Sequence, residues 1–213
     1  MVSTTKIGSI VVIAGFGLGI SASVAEKFAS LGYKIAFLSR TQAKLDSAAA
    51  NLSAAHNISA KGFAVDLADP QAVLAVLDVI RKELNGTIGI LFWNPDGKIQ
   101  SIFDLTADTL NSNVISWMIL LPIAVLVTGA GLALENDVSA RLARAASVAI
   151  SMAAQRKAVH ILHFALKEKG VYVGEVTVLD VVKGTRFDDD GTATLTPESI
   201  ADQFAELEFK REV

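Results

Sequence analysis

The chain has 213 residues, of which 52% are hydrophobic and 19% charged, and its formal net charge at pH 7 is −3. That length suits a single domain, residues 1–213, and the apolar content is typical of a parallel sheet that is buried on both faces. The acidic balance provides no basic surface for nucleic acid, and the absence of cysteine excludes disulfides, thiolate metal sites and cysteine nucleophiles. We see no signal-peptide pattern, predict no metal site and expect a cytoplasmic protein.

The first predicted element is a buried strand, Ile10 to Ala14, which stops at three glycines in alternate positions, Gly15, Gly17 and Gly19. An amphipathic helix follows directly. Glycine is required where the backbone takes a positive φ or where a ligand must approach the main chain closely. Because the N-terminus of a helix attracts anions, the pattern favours a phosphate or pyrophosphate site over a tight turn without a ligand.

The first half of the chain then alternates between strands and helices. Strands are predicted at Lys34 to Leu38, Gly62 to Val65 and Ile88 to Trp93. Between them, Thr41 is a candidate cap for the second helix, and Asp69-Pro70 opens the third. Strands that alternate with helices of this length predict right-handed βαβ units, so the expected class is α/β, a Rossmann-type doubly wound parallel sheet with helices on both faces.

The second half repeats this alternation less regularly. The predicted elements are a helix from Leu105 to about Leu120, a strand at Ile123 to Val127, a turn at Thr128 to Gly131, a long helix at Val138 to Lys169, a strand at Val171 to Leu179 and a helix opened by Thr196-Pro197-Glu198.

An alternative concerns Val114 to Leu134, which carries no charged residue and is long enough to span a membrane. Pro122 interrupts this segment, which favours the end of a helix followed by a buried strand.

In this order, the residues resemble the short-chain dehydrogenase/reductase family over essentially the whole chain. The segment from Ala14 to Ser21 is similar to that family's Thr-Gly-x-x-x-Gly-x-Gly turn, with Ala14 for Thr and Ser21 for the last Gly. Asp66-Leu67 resembles the acidic-apolar pair that touches the adenine. Asn94-Pro95-Asp96 stands in place of Asn-Ala-Gly after the fourth strand, and Asn113 matches the Asn of the following helix.

The resemblance implies a bound dinucleotide. The implied cofactor-binding residues are Gly15, Phe16, Gly17, Gly19, Ile20, Arg40, Asp66, Leu67 and Asn94. An acid at the end of the second strand would hydrogen-bond the adenosine 2′-OH, whereas a base there accepts a 2′-phosphate. Arg40 occupies this position and no acid does, which favours NADP(H) over NAD(H) as cofactor; the alternative for Arg40 is a solvated surface arginine.

Catalysis in the family uses a Tyr that gives a proton to the substrate oxygen and a Lys four residues later. The usual spacing back from Gly170 places that Lys at Met152 and the Tyr at Val148, and neither side chain can donate a proton. Helical periodicity supports this alignment, because six positions recur at steps of three and four and form one inward-facing stripe of the long helix: Val148, Met152, Gln155, Val159, Leu162 and Leu166. The stripe is apolar where the family places its catalytic pair.

Three substitutes for the missing pair are weak candidates. Thr128 falls near the family's catalytic Ser but also suits the predicted turn. Asp96 is either an acid near the expected nicotinamide or an ordinary turn aspartate. Asn113 is a candidate only because it matches the Asn of the family's corresponding helix. His160 and His163 are interpreted as structural residues.

Three hypotheses therefore stand. The first is an NADP(H)-dependent oxidoreductase with a rebuilt or degenerate catalytic site and an unknown small-molecule substrate. The second is a non-catalytic dinucleotide-binding or scaffold protein of the same fold. The third, membrane association through Val114 to Leu134, is the least favoured. The resemblance also implies a homo-oligomer, expected to be a dimer packed through the helices at 105–120 and 138–169.

Overall fold

The computed structural model describes residues 9–94, 124–130, 146–178, 180–185 and 188–210. The strands are β1 (Ser9–Ala14), β2 (Lys34–Ser39), β3 (Ala60–Ala64), β4 (Thr87–Trp93), β5 (Ala124–Ala130) and β6 (Val173–Val178). The helices are α1 (Ile20–Ser30), α2 (Gln42–His56), α3 (Pro70–Glu83), α4 (Ala146–Lys167) and α5 (Pro197–Lys210). The helix predicted at 105–120 lies outside the described residues.

All six strands pair in parallel in the order β3-β2-β1-β4-β5-β6. The chain builds outward from β1 to β3 and then returns to place β4 on the other side of β1. This reversal is the topological switch point of a doubly wound sheet, and it confirms the predicted fold class.

Strand β1 lies at the centre, and its side chains alternate between two apolar cores. Ile10 and Val12 belong to the core that α3 and α4 cover, whereas Val11 and Ile13 belong to the core beneath α1, α2 and α5. These side chains are fully buried. Burial on both faces explains why the strand is one continuous apolar run rather than an alternating one.

The predicted helix starts are confirmed by side-chain capping hydrogen bonds at α3 and α5, whereas the predicted cap of α2 makes no such bond. The Asp69 carboxylate accepts hydrogen bonds from the N–H groups of Gln71 and Ala72 at 3.0 and 3.1 Å, with Pro70 in the first turn of α3. Thr196 Oγ1 accepts from the Ser199 N–H at the start of α5.

Thr41 occupies the N-cap of α2, but its side chain makes no capping hydrogen bond. The start of this helix is tied down from the next residue. The Gln42 side-chain amide donates to the Gly62 carbonyl and accepts from the Ala64 N–H, at 3.0 and 2.8 Å. A contact with β3, distant in sequence, therefore replaces the predicted local cap.

The uncharged segment from 114 to 134 contributes a strand to the sheet. Strand β5 pairs with β4 on one side and with β6 on the other, which confirms the predicted strand. The turn predicted from Thr128 is wrong, because Thr128, Gly129 and Ala130 continue the strand and pair with Val176, Thr177 and Val178. Pairing with β6 outweighs the local turn preference of Thr and Gly. No helix within the described ranges combines the length and apolarity that crossing a membrane requires.

Candidate functional site

The predicted cofactor-binding residues that the structure describes gather at one edge of the sheet. Ala14 is in register with Leu38 of β2 and with Trp93 of β4, and Ser39 is in register with Ala64 of β3. The turn after β1, Arg40 after β2, Asp66 after β3 and Asn94 after β4 therefore leave the same carboxyl edge. In open parallel sheets, this edge at the switch point is where ligands bind.

The first half of the glycine turn is anchored to β2. The N–H groups of Gly15 and Phe16 both donate to the Leu38 carbonyl, at 3.0 and 3.1 Å. Gly15 has a φ of 86°, a conformation that favours glycine. The Phe16 ring lies against the Phe37 ring, with centroids 4.4 Å apart. Among the three glycines of the turn, Gly15 is the one whose backbone conformation requires this residue.

The second half of the turn presents unused backbone donors. Within the described residues, the N–H groups from Gly17 to Ser21 find no acceptor, and the first bonds of α1 run from Ala22 and Ser23 to the Gly19 carbonyl. A β-carbon on Gly17 would meet nothing within 4 Å, and one on Gly19 would meet only the Thr185 methyl carbon at 3.8 Å. The turn is therefore open above a helix N-terminus, which is the arrangement that binds phosphate groups.

Ser21 connects this turn to the end of β4. Its buried hydroxyl donates to the Gly15 carbonyl at 2.9 Å and lies 3.1 Å from Asn94 Nδ2, which donates to it. The Asn94 N–H in turn donates to the Ala14 carbonyl at 2.8 Å. The family resemblance implies that Asn94 binds the cofactor, and in this structure its side-chain amide bonds to Ser21.

Thr185 is a residue at the site that the sequence did not indicate. Its hydroxyl donates to the Val182 carbonyl at 2.7 Å, and its methyl group faces Gly19. The loop that follows β6 therefore reaches over the glycine turn. No local pattern in the sequence marks Thr185, because the contact depends on the path of this loop across the edge of the sheet.

Arg40 and Asp66 lie on the β2 and β3 side of the turn. Arg40 is exposed, and its guanidinium forms no ion pair with any described residue. The Asp66 carboxylate accepts from the Ala68 N–H at 3.0 Å, which orders the loop that leads into α3, and Leu67 packs partly buried against the adjoining core. The Arg40 side chain is therefore accessible on this side of the site.

The predicted catalytic positions are described only in part. Val148 and Met152 lie in α4, but their side chains are outside the described residues, as are Asp96 and Asn113. The inward stripe is confirmed where it is described, since Val159 and Leu166 are buried and Leu162 is partly buried. Thr128 lies within β5, opposite Val176 of β6.

Of the two histidines of α4, His163 has the surroundings of a structural residue. His163 Nδ1 lies 3.1 Å from the Val173 carbonyl oxygen, and its ring meets the Tyr172 ring edge to face. His160 is exposed. Within the described ranges, no cluster of three or more acidic or histidine side chains is arranged to hold a metal ion.

The fold defines a class, the α/β proteins with a doubly wound parallel sheet. Comparison with known families is more specific, because the sequence model of the short chain dehydrogenase family matches residues 9–120. The chain belongs to this family. No curated protein sequence matches it.

Solved structures share the fold at low sequence identity. The short-chain dehydrogenase from Sphingobium yanoikuyae in complex with NADPH is 21% identical, with a TM-score of 0.75 over 95% of this chain and 85% of that one. L-sorbose reductase from Gluconobacter frateurii, complexed with NADPH and L-sorbose, is 19% identical, with a TM-score of 0.77 over 96% and 91%. The alcohol dehydrogenase from Thermococcus sibiricus, complexed with 5-hydroxy-NADP, is 19% identical, with a TM-score of 0.74 over 96% and 92%.

Proposed function

We propose that this chain binds NADP(H) at the carboxyl edge of its sheet and is an oxidoreductase-like protein with a degenerate catalytic site. The main support comes from the backbone N–H groups from Gly17 to Ser21, which lack acceptors among the described residues and lie at the start of α1. A pyrophosphate supplies the acceptors and the negative charge that such a turn favours. Membership of the short chain dehydrogenase family supports the same assignment.

The preference for NADP(H) rests on the end of β2. Arg40 follows the last residue of this strand, is exposed and forms no ion pair with any described residue, so its charge is available to a 2′-phosphate. No acidic residue is present there to bind a free 2′-OH. The relatives crystallised with NADPH support this choice.

The site is called degenerate because it lacks the family's proton donor. The bound cofactor would supply hydride, and the protein must place the substrate and give or take a proton. The family resemblance assigns the proton-donating Tyr to Val148 and its neighbouring Lys to Met152, and these residues have no proton to give. A general acid contributes on the order of 10²–10⁴-fold, so carbonyl reduction by this chain should be slow or absent.

The second candidate function is a dinucleotide-binding or scaffold protein without catalysis. Val148 and Met152 favour it, because a protein that does not turn over substrate has no need for the catalytic pair. Both candidates require the same cofactor site. They differ only in whether bound NADPH is consumed.

One experiment separates these possibilities. The purified chain is titrated with NADPH and with NADH by the change in cofactor fluorescence, and NADPH consumption is then followed with a panel of carbonyl compounds. NADPH binding without turnover supports the non-catalytic candidate, and slow turnover supports the degenerate enzyme. Turnover near the median enzyme rate of about 10 s⁻¹ would contradict the degenerate site. The absence of binding to either cofactor would contradict the proposal as a whole.

A further inference from the structure

Ser21 stands where the family turn has its last glycine, and its side chain is almost fully buried, with 2% of its surface exposed. Its hydroxyl makes one hydrogen bond to each of two elements, to the Gly15 carbonyl in the turn and to the Asn94 side chain after β4. Because Ser21 itself belongs to α1, a single hydroxyl joins three segments at the proposed cofactor site. Glycine cannot make these bonds.

We propose that Ser21 is a positioning residue that holds the glycine turn in its binding conformation before the cofactor arrives. This inference rests on the proposed function. Gly15 has a positive φ, and glycine loses more conformational freedom on ordering than any other residue. Fixing its carbonyl from α1 orders the turn in the free protein, so the cofactor does not bear that cost on binding.

Asn94, which follows β4, ties the end of that strand to β1 and to α1. Its N–H bonds to the last residue of β1, while its side chain bonds to Ser21. With the hydroxyl removed, the Asn94 amide and the Gly15 carbonyl each lose a partner in a partly buried place, which is costly for polar groups. The ends of β1 and β4 and the start of α1 would then lose their common link.

The remainder of α1 does not depend on this link. Val24 and Phe28 are fully buried against the sheet, so the helix stays packed when Ser21 is changed. The expected consequence is a local loss of order at the turn with the fold retained. This separates a positioning role from a general contribution to stability.

The test uses Ser21→Ala and Ser21→Gly, with Ser23→Ala as the matched control. The Ser23 hydroxyl lies on the same helix but bonds to Glu198 of α5 at 3.2 Å, away from the turn. Affinity is measured for NADPH and for 2′-AMP, which carries the 2′-phosphate but no pyrophosphate. Both Ser21 variants should bind NADPH about tenfold more weakly than the wild type, because they lack the hydrogen bonds of the Ser21 hydroxyl. Their affinity for 2′-AMP should stay within about twofold of the wild-type value. The control should leave both affinities within about twofold.

Hydrogen exchange on the free protein gives a second measurement of the same effect. The N–H groups of Gly15 and Phe16, which bond to Leu38, should exchange faster in both Ser21 variants, with exchange in the middle of α1 unchanged. Unchanged NADPH affinity in the Ser21 variants would overturn the positioning role, as would an equal loss for NADPH and 2′-AMP. If the wild type binds no NADPH, the proposed function fails and this role falls with it. If the wild type binds NADPH and the Ser21 variants bind it with the same affinity, only the inference about Ser21 is refuted.

Discussion

Gly62 of β3 packs directly against Leu45 of α2: a β-carbon on Gly62 would lie 2.3 Å from the Leu45 β-carbon and 2.9 Å from its carbonyl carbon. Such distances are far inside van der Waals contact, and one of the two atoms belongs to the backbone. Leu45 is itself fully buried, so it has no free space into which to move. The approach of α2 to the edge of the sheet therefore requires glycine at this position.

Gly62→Ala should consequently destabilise the protein by at least about 1–3 kcal/mol, the usual cost of overpacking a core. The free energy of unfolding is measured by urea denaturation. Gly17→Ala is the control, because a β-carbon there meets nothing within 4 Å and Gly17 is not among the glycines with positive φ. Equal stability of the two variants would show that α2 does not approach β3 as closely as described.

Arg40→Ala should remove the preference for NADPH. The guanidinium is expected to bind the 2′-phosphate through charge-assisted hydrogen bonds, whose loss lowers NADPH affinity about tenfold or more and leaves NADH within about twofold. Calorimetric titration with each cofactor measures both effects. Arg81→Ala is the control, since Arg81 bonds to Asp78 on α3 at 2.7 Å. An unchanged ratio of the two affinities in Arg40→Ala would contradict the role of Arg40.

Restoring the family pair tests the interpretation of the catalytic positions. The double variant Val148→Tyr with Met152→Lys should raise NADPH-dependent carbonyl reduction by up to the 10²–10⁴-fold that a general acid contributes. Each single change should give much less, because the Lys lowers the pKa of the Tyr and the two act as a unit. Folding is checked by circular dichroism, since Met152→Lys introduces a charge that is costly if buried without a partner. A folded double variant that is no more active than the wild type would refute this alignment of α4.

The outer face of α4 motivates a prediction about assembly. Ile161 and Phe164, which are neighbours one turn apart on this helix, are 58% and 78% exposed, and adjoining exposed apolar side chains are typical of interaction surfaces. The family resemblance implies a dimer that uses this helix, so light scattering at micromolar concentration should give twice the mass of the chain. Phe164→Lys should shift the protein toward monomer, and Lys167→Ala on the same helix should not. A wild-type monomer would contradict the prediction.

Elements whose causes are local in sequence were predictable, whereas contacts between distant residues were not. The runs that became β1 and β4, and the Asp69-Pro70 start of α3, were predictable because their causes lie within a few residues. Thr128 to Ala130 were not, because their strand continues only through pairing with β6. The link between Ser21 and Asn94 joins residues 73 positions apart, so the sequence showed Ser21 only as a departure from the family turn.

Binding of NADPH by the glycine turn is tested most directly by calorimetric titration of the cofactor into the wild type, Gly17→Asp and Gly17→Asn. Gly17 is exposed and open, so both side chains fit without disturbing the turn. The carboxylate of Gly17→Asp would face a pyrophosphate held by the N–H groups of the turn, and like charges about 4 Å apart near a protein surface repel by about 4 kcal/mol. We expect binding by the wild type, a loss of at least about 100-fold in Gly17→Asp and a much smaller loss in the neutral Gly17→Asn. Wild-type affinity in Gly17→Asp, or no binding by the wild type, would contradict this expectation.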